Sequence, residues 1–430
     1  MGDAATIMDM HTNYLSRFRR PAADSSVRRA RPLTTLAAGV ALMSIVLTGC
    51  ATTVEATSTA TPTTSVSASA SAATTTTTTD SDGTSATTTA ETIADTTAAA
   101  EAFLATLSDE QRDAVLYAYD DETKTTSWSN FPITFVERAG LNLADLTEEQ
   151  KTAALKVLES LLSDEAYETV SNIMAGDSYL SEYSSSTDAD VLGQYYIAFF
   201  GDPSDTTAFE VQFGGHHLGI NATLDGSTDA ITFAPTHLGM QPADFTDDSG
   251  TEIQSFQYIY SDAFAFFDSL TAEQQATLTS GDVTMCAPGD TCDYPTGSGL
   301  TGADLTDEQK QLLLNLIANW AGMADAQTTA DALAKIEATL DTTVIAWSGE
   351  TVYDMTTGNG INFSISGPNV YIAFQAQQGS AGADVDGVTT SGWGHVHTIY
   401  RDPTSDYANS VTQQAAYGMG GGPGGAAPGA

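Results

Sequence analysis

The chain has 430 residues, with 14 Lys or Arg against 55 Asp or Glu, giving a formal charge of -41 and a pI near 4.1. Such a polyanion repels phosphate, and so few cations cannot assemble a basic patch, which excludes a nucleic-acid partner. At 41% apolar and 8% aromatic residues it can bury a core, while abundant Thr, Ser, Ala and Gly mark part of it as non-globular.

Six of the 14 cations (Arg17, Arg19, Arg20, Arg28, Arg29 and Arg31) precede Leu33. The uncharged run from Leu33 to Thr48 is shorter than the roughly 20 residues of a bilayer span and has the length of a signal-peptide core. It ends in Leu47-Thr48-Gly49-Cys50, which resembles a bacterial lipobox, where small residues admit the peptidase and the Cys thiol is acylated. Residues 1–49 are therefore expected to be a lipoprotein signal peptide. Lipidation at Cys50 would anchor the mature chain to the outer face of the bacterial cytoplasmic membrane. Residues 50–97 are almost wholly Thr, Ser and Ala and predict a disordered tether. Residues 98–412 predict the globular part, and 413–430 a loose Gly/Pro-rich tail.

Four copies of one phrase punctuate the globular part: Leu107-Ser-Asp-Glu-Gln111, Leu146-Thr-Glu-Glu-Gln150, Leu270-Thr-Ala-Glu-Gln274 and Leu305-Thr-Asp-Glu-Gln309. Each sets Ser or Thr at a helix N-cap, with acids in the first turn where they suit the dipole. The phrases pair up, since Ala144-Asp145-Leu146 matches Ala303-Asp304-Leu305. Strand-like sequence follows each pair, and Tyr195-Tyr-Ile-Ala-Phe-Phe-Gly201 echoes Thr343-Val-Ile-Ala-Trp-Ser-Gly349. Phe209 to Asn221 sits where Ile361 to Ala373 sits later, both alternating with period two about a Gly turn. The expected fold class is α+β, with internally duplicated helical-then-antiparallel-sheet units of about 150 residues packed as one domain.

Cys286 and Cys292 enclose Ala-Pro-Gly-Asp-Thr, and in an exported chain they read as a disulfide pinching a turn; a metal-thiolate or redox pair is the alternative. Chemistry concentrates on histidine. In Gly394-His395-Val-His397 a strand would send both imidazoles to one face, where they can chelate one cation. Gly214-Gly215-His216-His217 supplies a second motif, of which strand geometry allows only one ring into the same site. Three converging imidazoles would make a mononuclear zinc or copper site with an open position; core or surface histidines satisfied by carbonyls are the bland alternative. His237 falls in a presumed turn, in Ala-Pro-Thr-His-Leu-Gly, and ranks below the other four.

Around His397, Arg401 offers a clamp for a substrate carboxylate or, more simply, a structural fork with Asp402 and Asp406. Asp406 suits the outer nitrogen of a ligating His. Tyr400 and Tyr407 offer phenol donors but pack well in strands, and Arg138 is a further cation of interest. No nucleophile elbow, phosphate loop, dinucleotide fingerprint or His-Glu-x-x-His helix appears, and acids are too plentiful to single out a glycosidase pair.

The order Leu-Ser-Asp-Glu-Gln-Arg112, Trp128 to Pro132, Arg138-Ala-Gly140, Leu-Thr-Glu-Glu-Gln-Lys151, Phe200-Gly-Asp-Pro203, Gly215-His-His-Leu218 with Asn221, and His395-Val-His-Thr-Ile-Tyr-Arg401 ending in Asp406-Tyr407 closely resembles the bacterial family called domain of unknown function 3500. The resemblance spans about Ala99 to Tyr407. It implies an exported protein without a settled activity, and its histidine motifs fall on His216, His217, His395 and His397, with Arg401, Asp406 and Tyr407. Two positions depart from the family pattern: His237, where an aromatic residue is usual, and Ala408, which replaces a usual Gly. The leading expectation is a surface lipoprotein with a His-ligated transition metal, zinc or copper, and a possible metal-dependent activity. The alternative is a non-catalytic extracellular binding or structural protein. No substrate or macromolecular partner beyond the membrane is implied.

Overall fold

The computed structural model describes residues 87–411 apart from 135, 187–191, 280–282, 287–293 and 295–297. The signal peptide, Cys50, most of the tether and the tail lie outside the described residues, as does Cys292 and with it the expected disulfide.

Helix α1 (Thr89–Ala105) begins within the segment expected to be a tether, because Thr88 and Glu91 form a reciprocal cap and Ile93, Ala100 and Phe103 supply a buried stripe among the threonines and alanines. All four repeated phrases start helices: α2 (Asp109–Val115), α3 (Glu148–Leu161), α6 (Ala272–Thr277) and α7 (Asp307–Ala321), capped by Ser108, Thr147, Thr271 and Thr306 with the Gln three residues on closing each box. The capping glutamines also meet in pairs, with Gln150 Nε2 donating to Gln111 Oε1 at 3.0 Å and Gln274 Nε2 to Gln309 Oε1 at 2.9 Å. The remaining α-helices among the described residues are α4 (Asp164–Tyr183), α5 (Gln257–Ser269) and α8 (Ala326–Glu337).

Eight longer strands form the body of one sheet: β1 (Tyr196–Phe200), β2 (Ala208–Gly214), β3 (Leu218–Asp225), β4 (Thr236–Met240), β5 (Val344–Gly349), β6 (Ile361–Gly367), β7 (Val370–Ala376) and β8 (Val396–Arg401). Their order is β1-β2-β3-β4-β8-β7-β6-β5, antiparallel throughout. The sheet as a whole is mixed rather than antiparallel, because the short strand Leu116–Tyr117 runs parallel to β1. The fold is thus α+β.

Alternation along the strands sorts the two faces. Ile197 and Phe199, like Val370, Ile372 and Phe374, join Phe103, Leu158 and Trp320 in the main core under the helices. Their neighbours face the other way: Ala198 and Phe200 pack with Ala139, while Tyr371, Ala373 and Ile399 pack with Trp128 and Met285. Among the described residues this second face is covered by loop segments that carry Trp128, Ala139 and Met285. His397 pairs with Gly239 and Ile399 with His237 across the β8–β4 seam, so His237, Gly239, His397 and Ile399 share this second face.

Candidate metal centre

The centre of the sheet brings the two histidine motifs together from chain segments far apart in sequence. His216 and His217 belong to neither strand of their hairpin: they form the tight link between β2 and β3, with Gly215 N–H bonded to Leu218 O at 3.0 Å. His217 adopts the left-handed conformation (φ 61°), which costs a non-glycine residue about 1 kcal/mol or more and re-aims its ring. The strand rule that would send adjacent side chains to opposite faces therefore does not apply. The two imidazoles lie with centroids 3.6 Å apart and planes tilted by 33°, and both lie against Asp177.

One nitrogen each from His217, His395 and His397 lies within 4.8 Å of the others, and all three residues are buried. His217 Nε2 and His395 Nε2 are 3.4 Å apart. The His397 ring centroid lies 5.2 Å from that of His217 and 4.9 Å from that of His395. His397 Nε2 has no hydrogen-bond partner among the described residues. A second group, Asp177, His216 and His217, adjoins the first and shares His217. Its 2.6 Å contact between His216 Nδ1 and Asp177 Oδ1 is a hydrogen bond, too close for both atoms to bind one ion comfortably. These buried His and Asp groups can hold a metal ion.

Each ring of the trio is oriented from behind. His395 Nδ1 lies 3.1 Å from the Gly379 carbonyl, which can only accept. His217 Nδ1 lies 3.7 Å from Asp177 Oδ1, and Asp177 is itself held by the Gly193 N–H at 2.9 Å. His397 Nδ1 lies 3.5 Å from the Asn130 side-chain amide, whose oxygen is otherwise unpartnered among the described residues. Half a turn of that amide lets its oxygen accept a proton from Nδ1. Arg138 secures the segment that carries Asn130. Its guanidinium donates to the carbonyls of Ser129 (3.1 Å), Phe131 (2.6 Å) and Val136, and to that of Gly215 (2.8 Å), the residue before the histidine pair.

Burial sets the charge state. It drives the His397 and His217 pKa values well below the usual imidazole range, that of His395 down to about 4 against an opposing hydrogen bond to Gly379, and that of His237 down to about 3. Neutral imidazoles are the form that binds metals. Burial alone would raise the Asp177 carboxyl, but the neighbouring His216 and hydrogen bonds from both histidines pull it well below the usual carboxylate range.

His237 is not in a turn. It sits in mid-strand on β4, completely buried, with its ring 5.7 Å from that of His397 and neither nitrogen bonded to any described residue. The other expected site residues lie elsewhere. Tyr400 points to the helix-side core, the face opposite to His397. Arg401 lies at the far end of β8, where Nε bonds Asp406 Oδ2 at 2.8 Å and a terminal nitrogen donates to Cys286 O at 2.7 Å. Asp406, expected behind a ligating imidazole, is thus committed to Arg401, to the Asp402 N–H and to the Tyr294 hydroxyl. Asp177 stands in that place instead. Tyr407 accepts a 2.8 Å hydrogen bond from Trp128 Nε1 and carries a left-handed backbone (φ 52°).

Asp177 and Asn130 were not singled out by sequence reasoning. A signal did exist for Asp177: an acid within the Ile173, Met174 and Leu180 stripe of α4, where an unpartnered carboxylate would be costly.

A family model described as protein of unknown function (DUF3500) matches residues 89–409. The chain belongs to this family. The DUF3500 match covers α1 through the turn after β8, and with it every residue of the histidine cluster. No similar curated protein or solved structure was found.

Proposed function

We propose that this DUF3500 protein is an exported lipoprotein whose domain binds one transition-metal ion, zinc or copper, through His217, His395 and His397. The observation that carries the reading is the 3.4 Å separation of His217 Nε2 and His395 Nε2. Gly379 O accepts from His395 Nδ1, so His395 Nε2 turns a lone pair to the site, and with the proton of His217 on the Nδ1 that faces Asp177 a second lone pair meets it in a buried space. In that tautomer the contact is repulsive without a cation between them. Two nitrogens about 2.05 Å from one tetrahedral ion stand about 3.3 Å apart, so a cation fits the spacing. The unpartnered His397 Nε2 supplies a third lone pair.

Three imidazoles leave a fourth position for water or substrate, the arrangement of a metal-dependent enzyme, hydrolytic with zinc or oxidative with copper. Gly379, Asp177 and Asn130 orient the rings in the manner of outer-shell partners in such sites. The export part of the reading rests on Leu47-Thr48-Gly49-Cys50 behind its basic flank. A duplicated origin belongs to the same reading, supported by the paired capping boxes and by a strand order in which β1-β2-β3-β4 and β5-β6-β7-β8 meet at β4 and β8.

The test is metal content by inductively coupled plasma mass spectrometry on full-length protein purified without chelating resin, beside a His395→Ala plus His397→Ala variant. The expected result is near one equivalent of zinc or copper, lost in the variant. Absence of metal from both, with added zinc and copper also failing to bind, would overturn the reading.

A further inference from the structure

The metal trio leaves one buried histidine unexplained. His237 has no solvent exposure, and neither ring nitrogen meets a hydrogen-bonding atom of any described residue. Burying a donor and an acceptor unpaired is costly, so native interiors supply a partner, and a ligand or water is the partner when the protein is not. His237 is also well placed for one. It shares the sheet face of His397, its ring stands 5.7 Å from that of His397 at 60°, and Nε2 of the His397 ring is likewise without a partner among the described residues. Gly239, two residues along β4 from His237, pairs with His397 across the seam. A Cβ there would come within 3.1 Å of His237 Nε2, 3.3 Å of the His217 carbonyl oxygen and 2.7 Å of Val396 O, so glycine keeps the space between His237 Nε2 and the backbone of His217 free of a side chain.

We propose that His237 hydrogen-bonds the exogenous ligand at the fourth position of the metal, a water, hydroxide or small anion, rather than binding the metal itself. This rests on the three-histidine reading above and deepens it. His217, His395 and His397 hold the ion, and His237 donates a proton in a hydrogen bond to the oxygen or nitrogen atom bound there. The ligand class that follows is small and electron-rich, because one attachment point is a buried cation and the other a buried imidazole N–H.

The experiment loads full-length wild type, His237→Phe and His237→Gln with cobalt(II) or copper(II), measures the bound metal, and titrates azide while following the metal absorption bands. Wild type and both variants are expected to hold about one equivalent. Azide affinity should fall about tenfold or more in His237→Phe, the scale of one hydrogen bond to a charged group, and recover in part in His237→Gln, whose amide can still donate. Unchanged azide affinity in His237→Phe overturns the proposal. So does loss of metal from both variants with the fold intact by circular dichroism, which would make His237 a ligand. Wild type that holds metal but gives no azide response has a closed shell and overturns the proposal while sparing the metal site. Wild type that takes up no metal overturns both.

Discussion

Acid should destabilise the metal-free protein far above the carboxylate range, and the histidine cluster gives the size of the effect. His217, His237, His395 and His397 have folded-state pKa values below the ordinary 6.5, with His395 near 4 and His237 near 3. Asp177 and His216 flank the trio, and Arg138 adds to the pressure on His237. The unfolded chain takes up a proton at each position as pH falls through about 6.5, whereas the folded chain does so near 4 at His395, near 3 at His237 and well below the ordinary value at His217 and His397. Unfolded protein therefore binds more protons in that window, and stability falls as pH falls. His395 and His237 each contribute about 1.3 kcal/mol between pH 7 and pH 5.5, about 2.5 kcal/mol together, and His217 and His397 act in the same direction. That is about half the stability of a marginal domain. The assay is urea unfolding of chelator-treated protein at pH 7, 6.5, 6 and 5.5, followed by tryptophan fluorescence. His395→Gln should remove about 1 kcal/mol of the pH dependence. A stability that stays level or rises over this interval would refute the neutral, buried state of the cluster.

Two further outcomes follow from single side chains. Asp177→Asn keeps the shape of the group but removes the negative charge facing His217 Nδ1, so metal affinity measured by competition with a chromophoric chelator should drop about 10- to 100-fold. An unaltered dissociation constant would show that Asp177 does not orient the ligand. On the same sheet, Lys124 Nζ and Glu210 Oε2 form a fully buried 3.0 Å ion pair; burial pushes the Glu210 carboxyl up against the pull of Lys124. Glu210→Gln leaves the ammonium unpaired and should destabilise the protein by about 3–5 kcal/mol in denaturant melts at pH 7, and a change below about 1 kcal/mol would contradict the pairing.

Local features were legible in the residues themselves. The four Ser/Thr-x-x-Gln boxes act within one helical turn, so their spacing alone determined where α2, α3, α6 and α7 begin. Period-two alternation marked the hairpins β2–β3 and β6–β7, and His-x-His already implied two imidazoles on one side. Long-range pairing decided the rest. The β8–β4 seam, which no local rule specifies, puts His237 beside His397, and the turn at Gly215 to His217 overrides strand alternation by placing His217 in a left-handed backbone. Asp177 reaches the site only because α4 packs its apolar stripe beside β4, whereas Asp406, nearer in sequence, is drawn to Arg401 at the far end of β8. Capping and periodicity are properties of a few adjacent residues, but a metal site is a property of chain segments that meet only when the sheet closes.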